Sequence, residues 1–71
     1  MEPAIASIVN AYVRGGNRRA LQELWRLRSN LKLKILALPG DYDASEFIAK
    51  LDSEMAIIET GIDKLSPSAA A

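Results

Sequence analysis

The sequence predicts an all-α protein: an antiparallel helical hairpin preceded by a short N-terminal helix, three helices in all, assembling into a helical bundle. Apolar residues recur at three- and four-residue steps in three separate stretches. Gly15-Gly16 and Pro39-Gly40-Asp41 punctuate those stretches with stop signals. The two arms of the hairpin also carry opposite charge. Seven of the nine bases (Arg14, Arg18, Arg19, Arg26, Arg28, Lys32, Lys34) lie between Arg14 and Lys34, against one acid, Glu23. Seven of the nine acids (Asp41, Asp43, Glu46, Asp52, Glu54, Glu59, Asp63) lie between Asp41 and Asp63, against one base, Lys50. The net charge of zero therefore hides a basic helix followed by an acidic one.

Helix 1 is expected over about residues 3–14. Pro3 suits a first turn, where its missing N–H costs nothing. Ala4, Ile5, Ile8, Val9, Tyr12 and Val13 cover about half of the circumference, leaving Ser7, Asn10 and Arg14 for water. Gly15-Gly16 ends the helix, because glycine enters the left-handed region at little cost. Asn17 then caps helix 2 with its side-chain oxygen. A single helix running through both glycines would cost roughly 2 kcal/mol relative to two alanines.

Helix 2 is expected over about 18–38. Leu21, Leu24, Leu31, Ile35 and Leu38 form its seam, with Arg28 at the one remaining seam position. Helix 3 is expected over about 44–65, capped by Asp43 or Ser45. Its stripe of Phe47, Ile48, Leu51, Met55, Ile58, Ile62 and Leu65 is about 100° wide, as a core-facing helix requires. An antiparallel register brings Leu31 near Leu51, Leu24 near Ile58 and Ile35 near Phe47. It also sets Arg28 beside Glu54, an ion pair better suited to fixing register than to supplying stability.

A chain of 71 residues is expected to form one domain, here residues 1–65, with 66–71 as a flexible tail. So small a core is marginal without staples, and the chain has no Cys or His to cross-link it or to build a common metal site. The apolar run from Ala4 to Val13 is too short to span a bilayer and lacks a basic leader, so a cytoplasmic protein without a membrane segment is expected.

After the hairpin closes, apolar residues remain. Trp25 and Leu36 lie on the flank of the helix 2 seam, Leu33 lies further around, and Ile57 is expected to point away from the helix 3 core stripe. Helix 1 can cover part of this surface, with Tyr12 or Val9 against Trp25 and Leu21, but is too short to cover the hairpin's full length. Trp25, Leu33, Leu36 and Ile57 are accordingly the expected interface residues of a homo-oligomer, a dimer first of all, or of an unidentified protein partner.

No catalytic constellation is legible. The serines lack a base partner, and the carboxylates stand at helical spacings on a solvated face. Asp41-Tyr42-Asp43 begins like a calcium loop but lacks the glycine and closing Glu. Gly15-Gly16 is no phosphate loop without further glycines and a preceding strand. No enzyme activity, cofactor or metal is therefore expected. A small nucleic-acid-binding regulator is the rival expectation. The spacing of Ala11, Gly15, Leu21 and Leu24 resembles a helix-turn-helix, which would put Arg18, Arg19 and Gln22 at the start of a recognition helix, with Arg26 and Lys34 further along the basic arm. Zero net charge weighs against tight binding to phosphate.

Overall fold

A computed structural model of the protein describes residues 4–40 and 43–65. It contains three helices, α1 (Ala4–Arg14), α2 (Arg18–Leu36) and α3 (Ser45–Lys64), and no strand among the described residues. The expectations for Pro3, Asp41, Tyr42 and the tail 66–71 lie outside those residues.

The break between α1 and α2 is built as expected. Gly16 takes a left-handed backbone, φ +68°. The Gly16 N–H donates to the Val13 carbonyl at 3.1 Å, and the Asn17 N–H donates to the Tyr12 carbonyl at 2.9 Å. This pair of bonds is the Schellman closure, which satisfies carbonyls that the helix end would otherwise leave free. Asn17 then turns to the next helix, its Oδ1 accepting from the Ala20 N–H at 3.2 Å. One residue thus closes α1 and caps α2.

Two boundaries differ from expectation. α2 stops at Leu36, two residues before Leu38. Pro39 disfavours a helical conformation at the residue before it, and the chain tightens accordingly, with the Leu38 N–H donating to the Ile35 carbonyl at 3.2 Å. At the start of α3 the cap position belongs to Ala44, which has no side-chain acceptor. Asp43 serves from one residue further out. Its Oδ1 accepts from the Ser45 hydroxyl at 2.7 Å and the Ser45 N–H at 3.1 Å.

The core sits where α1 crosses the hairpin. Ile5 and Val9 of α1, Leu21 of α2 and Ile58 of α3 form one buried cluster, with Tyr12, Val13, Leu24, Trp25, Ile57, Ile62 and Leu65 packed around it. Gly61 is what lets α1 approach. A Cβ at that position would stand 2.6 Å from Val9 Cγ1 and 3.3 Å from Val13 Cγ2. At 1.5 Å per residue, α1 is about 16 Å long and α2 about 28 Å. The third helix therefore reaches over only part of the hairpin.

Candidate interaction surface

The hairpin has two broad sides, each marked by one ion pair. Arg28 Nε donates to Glu54 Oε1 at 3.0 Å, in the expected register, and Lys32 Nζ donates to Asp52 Oδ1 at 2.6 Å. Arg28 also reaches back to the Leu24 carbonyl at 3.4 Å. On α3, Ile57 and Gly61 follow Glu54 by three and seven residues, so α1 lies on the Arg28–Glu54 side. Ile57 lines a hollow with Ala6, Val9 and Asn10 of α1. The expectation that Ile57 points away from the core is thus corrected, because α1 packs over that flank.

Beyond the reach of α1 the apolar surface is bare. The described residues include five buried hydrophobic side chains (Ile5, Val9, Leu21, Leu51 and Ile58) and seven large ones that are exposed. Six of the seven (Leu27, Leu31, Leu33, Leu36, Leu38 and Phe47) fall between positions 27 and 47, in the half of the hairpin nearest its turn. Leu31, Leu38 and Phe47 are three seam residues expected inside. They stay 41–48% exposed because no third helix covers them. Leu27, Leu31, Phe47 and Leu51 line a hollow of about 330 Å³ on the Arg28–Glu54 side. A second hollow, about 560 Å³, opens near the turn and is lined by Ile35, Leu36, Ile48, Ala49 and Asp52 among others. Ile35 and Phe47, expected as neighbours, line different hollows. The two positions fall on opposite flanks of the seam, as the separate sides of the two ion pairs require.

Of the expected interface residues, Leu33 and Leu36 are the most exposed, each at 62%. Trp25 is half-buried against the core cluster, and its indole N–H is covered without an acceptor. Sequence reasoning missed Leu27. The signal was present, since Leu27 stands four residues before Leu31 and shares its flank.

The charge pairing across the hairpin is selective. α2 holds six bases and one acid, α3 five acids and two bases. The bases that pair with α3 are Arg28 and Lys32, while Arg26 pairs with Glu23 on its own helix. Among the described residues Arg18, Arg19 and Lys34 join no ion pair, nor do Glu46, Glu59 and Asp63. Gln22, Arg19 and Arg26 are exposed on the outward side of α2. Hydrogen bonds from the Ser45 hydroxyl and N–H hold the Asp43 carboxyl below the usual aspartate range.

Among the described residues no group of three or more His, Cys, Asp or Glu side chains is gathered as a metal cluster. No described helix is long and apolar enough to cross a membrane. No family model matches the chain, and no curated protein or solved structure matches it.

Proposed function

We propose that the chain is a non-enzymatic helical interaction module that works by self-association. One observation carries this reading. Among the described residues more large apolar side chains are exposed than buried, and they concentrate in the half of the hairpin that α1 does not reach. Domains are stable as two packed layers, and here the second layer is present over only part of the hairpin. A second copy supplies a further layer, as in a four-helix bundle made from two hairpins.

Near-zero net charge supports the same reading, because two copies approach without long-range repulsion. Self-association that stabilises the fold makes the melting temperature rise with protein concentration. The expected result is a clear rise over about a hundredfold range of concentration. A midpoint independent of concentration contradicts the proposal.

A nucleic-acid-binding regulator is the second reading. It draws on the finding that Arg18, Arg19 and Lys34 join no pair with α3. Its test is a mobility shift with duplex DNA and RNA at low and moderate salt. Salt-sensitive binding, lost on changing Arg18 and Arg19 to Glu, favours this reading, and no shift at low salt rejects it.

A further inference from the structure

We infer that the second copy docks on the Lys32–Asp52 side of the hairpin, placing the basic flank of each α2 on the acidic flank of its partner's α3. The inference rests on the self-association just proposed and adds its geometry. On α2, Arg18, Trp25 and Lys32 recur every seven residues, so they stand on one flank. On α3, Glu59 follows Asp52 by seven residues, with Asp63 a further turn on. Since Lys32 binds Asp52 across the hairpin, both flanks belong to the same side of the molecule. α1 lies on the other side and does not obstruct it, so this docking covers the hollow at Leu36 and Leu38 and leaves Leu27, Leu31 and Phe47 open.

Unpaired charge of both signs and an exposed leucine fall on this one side. Arg18 stands on this flank of α2 and joins no ion pair among the described residues. Glu59 and Asp63 form a like-charge pair one turn apart and join no ion pair among the described residues. Leu36, four residues past Lys32, is 62% exposed beside the small Ala49 in one hollow. An unpaired cation, unpaired acids, and an apolar knob next to a small residue are complementary when a copy is turned onto itself.

The level of each contact follows from the hairpin. Arg28 meets Glu54, Leu21 stands by Gly61 and Lys32 binds Asp52, so residues at one height have numbers summing to 82–84 (28 + 54, 21 + 61 and 32 + 52). A two-fold axis parallel to the hairpin preserves height while laying α2 on the partner's α3. Arg18 then comes within one helical turn of the level of the partner's Asp63, Trp25 lies near the partner's Glu59, and Leu36 lies near the partner's Ala49. Every neighbouring helix pair is antiparallel and opposite in charge.

Charge reversal tests this between chains. Arg18→Glu and Asp63→Arg, each alone, set like charges at both copies of the contact and weaken the dimer about tenfold or more. In an equal mixture of the two variants, the new acid of one chain faces the new base of the other, while the native pair forms at the second site. The expected result is a mixed dimer restored to within a few-fold of wild-type affinity, read by sedimentation with helicity checked by circular dichroism. If either variant unfolds, Leu36→Glu, at an exposed position, replaces it and breaks the dimer, whereas Leu27→Glu on the opposite side leaves it intact. A wild-type dimer that survives the reversals or Leu36→Glu and is lost with Leu27→Glu overturns this geometry while self-association stands. A folded wild-type monomer overturns both.

Discussion

At the scale of single residues, Gly61 shows how local preference and packing oppose one another. Within a helix glycine is about 1 kcal/mol worse than alanine, so the sequence alone recommends replacing it. The structure reverses that advice, because a Cβ would meet the stiff branched side chain of Val9 at 2.6 Å. Gly61→Ala is expected to lower stability by about 1 kcal/mol net, and Val9→Ala in the same chain to reverse the sign of the Gly61→Ala effect. Denaturant midpoints of the four chains measure this, and a stabilising single Gly61→Ala refutes it. Asp43 offers a second test. Its carboxyl is depressed by the Ser45 hydroxyl and N–H, so its contribution is present above the unfolded pKa and is lost as pH falls through the lower folded value. By NMR the Asp43 carboxyl should titrate below the usual aspartate range, and Ser45→Ala should move it back up.

At the scale of elements, the order, number and orientation of the helices were legible in the sequence, because periodicity and glycine punctuation act locally. Asn17 was legible as a cap for the same reason. The start of α3 was less so: Asp43 and Ser45 both have the right chemistry, and only the backbone decides that Ala44 takes the cap position. The Arg28–Glu54 contact was legible from register, since a cation in an apolar seam needs a carboxylate level with it. The two side chains keep only 24% and 22% of their surface exposed. A double-mutant cycle through Arg28→Ala and Glu54→Ala should return a coupling of about 1 kcal/mol, smaller at high salt. Simple additivity contradicts a register-setting pair.

At the scale of the whole molecule, the reach of each element mattered more than its identity. Apart from Arg28 the seam of α2 is apolar from Leu21 to Leu38, and nothing in its pattern distinguishes the covered end from the bare one. The distinction comes from α1, which is about 16 Å long and is seated by Gly61 at one end of the hairpin. Ile57 was misplaced for that reason: its flank leaves the core stripe, yet α1 packs over it. Leu33 and Leu36 stay exposed because no described residue covers them. The central claim is that the chain self-associates through apolar surface that α1 leaves bare. Sedimentation equilibrium of the wild-type chain at high micromolar concentration tests it most directly. The account predicts a helical species of at least twice the 7.7 kDa chain mass, and a helical species of 7.7 kDa at every concentration would contradict it.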